Sequence, residues 1–338
     1  MRRSSSVTIV DVARAAGVSI ATVSRALSHP ERVRPERVER VRSAAASLGY
    51  VPHHAARTLA SRRSNAIGAI VPTLDNAIFA KAIHALQRRL DAAGLQLLVA
   101  SNDYDLEREA AQLQALVAHG VDGVVLVGAS HRPRAADLLA AKGVPHVCLW
   151  THHADGAAAI GFDNRAAMAR LVSYLADLGH RAFAMIAGIS RDNDRAAARV
   201  QGFRDALAAR GIGIPRERVI ERPYSAADGR GALRTLVAGG APPTAIVCGN
   251  DILAFGALAE ALALGLAVPG AVSITGFDDL ELAADLRPPL TTMRVPSEAM
   301  GVRAAEHLLA RLAGEPTPLT VELEAELIVR GTTAPPPA

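Results

Sequence analysis

Ile9, Val12, Ala13 and Ala16 recur near the start of the chain at the spacing of one helical face. They predict a short helix over residues 8–16. Thr8 is its cap, and Asp11 sits in the first turn, where a carboxylate meets the positive end of the backbone dipole. Gly17 ends it, because glycine takes the left-handed conformation of a tight turn without steric cost. Ser19 caps a second helix over 20–27 that turns Val23, Ala26 and Leu27 inward. A third, over 35–48, opens on Pro35, carries Glu36 and Glu39 early, repeats Val38, Val41, Ala45 and Leu48, and stops at Gly49. Ala13, Gly17, Val18 and Val23 fall where two helices must approach, turn and pack, which is the spacing of a helix-turn-helix.

Beyond residue 64 the pattern changes. Strand-like apolar runs at 66–71, 95–100, 123–127, 146–149, 158–162, 182–187, 219–221, 244–248 and 272–277 alternate with helical patterns such as 80–93 and 106–119. Strands buried on both faces between amphipathic helices predict parallel sheets wrapped on both sides. About ten strands are too many for one such sheet, so the expected body is α/β with two doubly wound lobes. A small molecule would bind in the crevice at the strand carboxyl ends.

Charge divides the chain at the same place. Residues 1–63 hold 12 Arg and no Lys against 4 Asp or Glu, whereas the remainder holds 25 basic against 29 acidic groups. A head at +8 on a body at −4 is the footprint of a polyanion-binding module joined to something else. Ser19, Thr22, Ser24 and Arg25 on the outer face of the second helix suit phosphates and base edges. The two cysteines, Cys148 and Cys248, lie in apolar runs and read as core in a reducing compartment. Asp11 and Arg14 interrupt any apolar stretch after the basic Met1-Arg2-Arg3, and no run approaches a membrane span, so a cytoplasmic protein is expected. No zinc, phosphate-loop or nucleophile-elbow motif occurs, and His152-His153 lacks helical metal spacing. Neither metal, cofactor nor catalytic residues are therefore expected.

The run Thr8-Ile9-Val10-Asp11-Val12-Ala13-Arg14-Ala15-Ala16-Gly17-Val18-Ser19, with Thr22-Val23-Ser24-Arg25-Ala26-Leu27, resembles the head of the lactose-repressor (LacI) family of transcriptional regulators. Leu48-Gly49-Tyr50-Val51-Pro52 and Ala55-Ala56-Arg57-Thr58-Leu59 carry the resemblance onward. It implies a repressor that reads a near-palindromic double-stranded operator as a homodimer. Ile20 and Ala21 would set operator sequence, Arg25 would read a base, and Thr8 would join the DNA-facing set. It also implies that residues 52–64 hold a hinge helix that orders on DNA. There Leu59 would wedge between base steps, Ala56 would permit close approach, and His53 replaces the usual asparagine. About two helical turns are too short to be stable alone.

Gly161-Phe162-Asp163-Asn164, Arg199-Val200-Gln201-Gly202-Phe203, Cys248-Gly249-Asn250-Asp251 and Gly276-Phe277-Asp278-Asp279 extend the resemblance through the body. It implies lobes of periplasmic-binding-protein type that the chain crosses between three times. The expected domains are a DNA-binding head at 1–51, the hinge at 52–64 and an effector-binding and dimerisation domain at 65–338. Lobe 1 would hold about 65–162 and 293–322, and lobe 2 about 163–290 and 323–330. Arg199, Asn250, Asp278 and Tyr224 match effector positions, with Trp150, Asp75, Asn76 and Phe79 on the other wall. Alternative readings are a strand-end cap for Asp278, core for Phe79 and lobe packing for Trp150. The effector would be a sugar or, given Arg191, Arg195 and Arg199 close together, a sugar acid. The tail has no heptad pattern, so a dimer is expected. The rival classes are a transport binding protein, which needs no basic head, and an enzyme.

Overall fold

The computed structural model describes residues 7–28, 30–50, 64–239 and 242–337. It divides into two compact units, Met1–Ser64 and Asn65–Ala338. The expected hinge, with His53, Ala56 and Leu59, lies outside the described residues.

The first unit holds α1 (Ile9–Ala16), α2 (Ile20–Ser28), a 3-10 turn (Pro30–Arg32) and α3 (Pro35–Ser47). Asp11 starts α1 by accepting the Thr8 N–H at 2.9 Å and the Thr8 hydroxyl at 2.7 Å. Those bonds hold its carboxyl below the usual range. Gly17, at φ 61°, turns the chain so that the Val18 N–H reaches the Ala13 carbonyl at 3.1 Å. Val12, Val23 and Val41 are fully buried among Ala13, Ala16, Ala26, Val38 and Ala45. Leu48, expected to extend that stripe, is instead 37% exposed, because α3 ends at Ser47 and Leu48 is its cap.

The second unit contains two parallel sheets. The larger joins β1 (Ala66–Val71), β2 (Gln96–Ser101), β3 (Gly123–Val127), β4 (His146–Leu149), β5 (Ala158–Gly161) and β11 (Thr320–Glu322) in the order β11–β5–β4–β3–β1–β2. Every neighbouring pair is parallel. Side-chain alternation covers both faces. Ile67, Ala69, Val125 and Leu149 pack against α4 (Ala77–Asp91) and α12 (Ser297–Ala313). Ile70, Val124, Leu126 and Cys148 pack against α5 (Leu106–Ala118) and α6 (Pro133–Lys142).

The smaller sheet joins β6 (Phe183–Gly188), β7 (Val219–Arg222), β8 (Ala245–Cys248) and β9 (Ser273–Thr275) in the order β7–β6–β8–β9, again all parallel. Phe183, Met185 and Val247 face α7 (Asn164–Asp177) and α8 (Asp194–Ala208). Ala184, Ile186 and Ile246 face α9 (Ala226–Val237) and α10 (Asp251–Ala263).

Between the sheets the chain passes three times: after β5, again after β9 and α11 (Leu282–Asp285), and after β11. The last two passages pair as an antiparallel ribbon of β10 (Thr292–Arg294) with β12 (Glu326–Ile328). The chain then runs along β9, where the Ile274 N–H donates to the Thr332 carbonyl at 3.0 Å. The apolar pattern missed β10 and β11. Both are three residues long, and β11 is an exposed edge strand with no hydrophobic run to reveal it.

Candidate functional site

Two sites carry chemistry. In the first unit the outer face of α2 is set by what its inner face must bury. Val23 and Ala26 point into the core, which leaves Ile20, Ala21, Ser24 and Arg25 exposed and Thr22 half-buried. Ser19 is exposed and caps α2: its Oγ accepts the Thr22 N–H at 3.2 Å and lies 2.8 Å from Thr22 Oγ1. Thr8 is likewise exposed at the start of α1. Ile20, 49% exposed at the head of α2, cannot hydrogen-bond and can meet only apolar surface, such as a thymine methyl. Arg34, Arg37, Arg40 and Arg42 are exposed on and just before α3 and add to the positive charge of this unit.

In the second unit, strand ends and helix starts of both lobes converge on a small cavity of about 30 Å³. It is lined by Asn76, Ile78, Phe79, Tyr104 and Trp150 from one lobe. Asn193, Arg195, Arg199, Tyr224, Asn250 and Asp278 line it from the other lobe and the passage after β9. Seven of the eight residues singled out in the sequence are thus brought together. The eighth, Asp75, sits exposed in the turn before α4, where its N–H donates to Thr73 Oγ1.

Three asparagines enter the cavity by one device. Asn76, Asn193 and Asn250 cap α4, α8 and α10, their Oδ1 atoms accepting the N–H groups of Ile78, Ala196 and Leu253. Three helix N-termini, each a partial positive charge, therefore open on the same space. Arg199, one and a half turns into α8, is buried at 6% exposure. Its Nε donates to Asn164 Oδ1 at 2.9 Å and its Nη1 to the Gly249 carbonyl at 2.8 Å. Its guanidinium lies 3.8 Å over the Phe277 ring. These contacts fix the plane of the fork and leave Nη2 as the nitrogen that can meet a ligand.

Asp278 sits 3.9 Å from Arg199 Nη1, at φ 126° and 5% exposure. Burial pushes its carboxyl up to about 8; Arg199 opposes the shift and Asp251 adds to it. Asp251 is itself raised to about 6 by burial, with the Thr292 hydroxyl and the Leu280 N–H bonding its charged form. Phe79 and Trp150 form an edge contact with centroids 4.9 Å apart, one apolar wall. On the opposite side Tyr224 lies 5.4 Å from Tyr104 and accepts a long 3.5 Å bond from Asn193 Nδ2. Gly188 is required under Tyr224, because a β-carbon there would overlap the phenol ring.

Ile78, Tyr104, Asn193 and Arg195 were not among the expected lining residues. Asn193 was legible: it precedes Asp194 as Asn250 precedes Asp251, each asparagine capping a helix. Arg195 carried a signal too, through its charge beside Arg199. Tyr104 lies in the loop after β2, and nothing in its surroundings along the chain marks it. Arg191 stands outside, in a larger hollow bounded by Arg132, Asp192 and Tyr224.

Residues 8–53 match the model of bacterial regulatory proteins of the lacI family, and residues 172–333 match that of the periplasmic binding protein-like domain. The HTH-type transcriptional regulator GntR of Escherichia coli (strain K12) is 32% identical over 93% of this chain and 94% of its own length. Among solved structures, a Lacl family transcriptional regulator from Silicibacter pomeroyi superposes with a TM-score of 0.88 at 30% identity, covering 96% of this chain and 99% of that one. The lac repressor dimer bound to operator and the anti-inducer ONPF superposes at 0.86 with 29% identity, covering 97% and 99%. The likeness thus runs along nearly the whole length, and the chain belongs to the lacI family of bacterial regulatory proteins.

Proposed function

We propose that this chain is a transcriptional repressor that binds a near-palindromic operator as a homodimer, and that its effector is a hydroxylated carboxylate such as a sugar acid. One observation carries the choice of effector. Arg195 and Arg199 both line a cavity whose one carboxyl group, on Asp278, burial holds mostly protonated at neutral pH. Arg195 is paired with Asp194, but Arg199 faces only the Asp278 carboxyl, so its charge beside three helix N-termini favours an anion. Asn76, Asn193 and Asn250 present amides suited to hydroxyls, while Phe79 and Trp150 offer an apolar wall for a sugar chain or ring.

The head supplies the other half of the function. The α2 face presents Ile20, Ala21 and Arg25 for base edges, and two-fold symmetry of a dimer would place two such helices on two half-sites. Effector binding would change the balance between lobe arrangements, and through the dimer the spacing of the heads. Among the described residues no helix is long and apolar enough to cross a membrane. The cavity holds amides, phenols, guanidinium groups and a carboxyl, without a nucleophile beside a base, so binding without turnover is the expected behaviour.

The test combines thermal unfolding with D-gluconate, other aldonates, uronates and neutral sugars, and anisotropy titrations of labelled duplexes from the gene's own neighbourhood. Aldonate at a hundred times its Kd is expected to stabilise by about 2.7 kcal/mol. Stabilisation by neutral sugars and not by acids would replace the anionic reading. Failure to retain any duplex at low salt would overturn the regulator reading itself.

A further inference from the structure

The two lobes also meet at the mouth of the cavity, away from the three passages. Asp194 and Arg195 open α8 on one side, and residues 127–129 leave β3 on the other. Arg195 Nη1 donates to the Val127 carbonyl at 2.9 Å, and Asp194 Oδ2 accepts the Ala129 N–H at 3.0 Å. The two side chains pair with each other at 3.2 Å. Gly128 lies between these bonds at φ 84°, and a β-carbon on it would overlap both Arg195 Nη1 and Asp194 Oδ1. Arg132 and Asp192 add an ion pair at 3.5 Å across the same seam.

Behind this turn lies a buried polar chain that the effector cavity does not use. Gly128 donates its N–H to the Leu149 carbonyl at 2.8 Å, and its own carbonyl lies 3.1 Å from His131 Nε2. His131 Nδ1 pairs with Glu109 Oε1 at 2.6 Å. Glu109 Oε2 accepts from Asn102 Nδ2 at 3.0 Å, and Asn102 Oδ1 accepts the Tyr104 N–H at 3.0 Å. Glu109 and Asn102 are buried, and neither they nor His131 line the cavity. A buried carboxylate is costly unless fully paired. Here the pairing ties together the Tyr104 and Gly128 loops, both of which face the other lobe. Burial works against a charged His131, but its bonds to Cys148 and Glu109 push it up to about 10, so both ring nitrogens can donate.

We propose that the 127–129 turn, gripped by Asp194 and Arg195 and braced from behind by Glu109 and His131, is a latch that holds the cavity closed. Gly128, Asp194 and His131 are positioning residues in it and not effector contacts. Bonds that exist in only one lobe arrangement bias the equilibrium toward it by their own free energy. The latch rests on the two-lobed geometry and not on which molecule fills the cavity, so its test needs no ligand.

The experiment uses the full chain with Ala136→Cys on α6 and Ala227→Cys on α9, both exposed positions, spin-labelled for pulsed dipolar distance measurement without added ligand. Cys148 and Cys248 are buried and shielded from the label. The parent is expected to show a short, dominant separation. Asp194→Ala is expected to shift the closed-to-open ratio about tenfold toward a longer one, the worth of one charge-assisted hydrogen bond. Gly128→Val should act in the same direction through overlap. Asp194→Asn, which keeps an acceptor for the Ala129 N–H, should recover part of the closed population. Thermal unfolding should stay cooperative in Asp194→Ala. An unchanged distance distribution in Asp194→Ala, a parent already open, or a shift accompanied by loss of cooperative unfolding would each overturn the proposal.

Discussion

Raising the pH from 7 to 9 is expected to weaken binding of a sugar acid about tenfold, and Asp278→Asn is expected to abolish that dependence. With its carboxyl at about 8, Asp278 is roughly nine-tenths protonated at pH 7 and one-tenth at pH 9. Protonated, it leaves the charge of Arg199 for the ligand, Arg195 being paired with Asp194. Ionised, it repels a carboxylate and competes for Arg199 at 3.9 Å. If only the protonated form binds the anion well, the apparent Kd rises in proportion to the lost fraction. Titration calorimetry across pH 6.5–9.5 reads this, repeated in buffers of different ionisation enthalpy to count protons. The neutral parent sugar, if it binds, should show a flatter profile. A flat profile for the acid, or a slope that survives in Asp278→Asn, would refute the reasoning. The same group affects folding. Between about pH 4 and 8 the folded protein holds a proton on Asp278 that the unfolded chain has released, so its contribution to stability falls as pH rises through that window. Asp278→Asn should therefore unfold with less pH dependence there.

Three further outcomes test separate features. Arg199→Lys replaces the planar fork, whose two nitrogens serve Asn164 and Gly249, with a single ammonium, so chemical denaturation should show a loss of about 2 kcal/mol and ligand stabilisation should vanish. Gly188→Ala should evict Tyr224 from its seat and lower ligand affinity while circular dichroism stays that of the parent, since the overlap is with one ring. Arg25→Ala should cost about 1–3 kcal/mol of specific operator affinity, read by competition against nonspecific duplex; an equal loss on both duplexes would assign it to phosphate instead.

Much of this was legible along the chain, for reasons that differ by element. The head is local: Thr8 and Asp11, Ala13 and Val18, and Ser19 and Thr22 are all close neighbours in sequence, so cap and turn chemistry reveals them. Long buried strands such as β1 and β3 announce themselves as apolar runs because both of their faces are covered. The three-residue strands β10 and β11 do not, since their pairing partners lie far along the chain and their own side chains carry no apolar run. Within the cavity, Asn76, Arg199, Asn250 and Asp278 stand in motifs at strand ends or helix starts. Tyr104 reaches the same space from a loop tied to distant residues through the Asn102–Glu109–His131 chain.

Sequence alone therefore determined the helices of the head, the longer buried strands, the order of the two kinds of fold, and which residues of α2 would face outward. Each depends on periodicity or capping within a few residues, where geometry is set by the backbone itself. Tertiary structure decided the rest. It turned three asparagine caps toward a common space, and it raised the Asp278 carboxyl by enclosing it. It also placed Asp194 within 3.0 Å of the Ala129 N–H, 65 residues away in sequence. Such facts depend on distances between distant segments and on the exclusion of water, and neither is encoded in any local stretch of the chain.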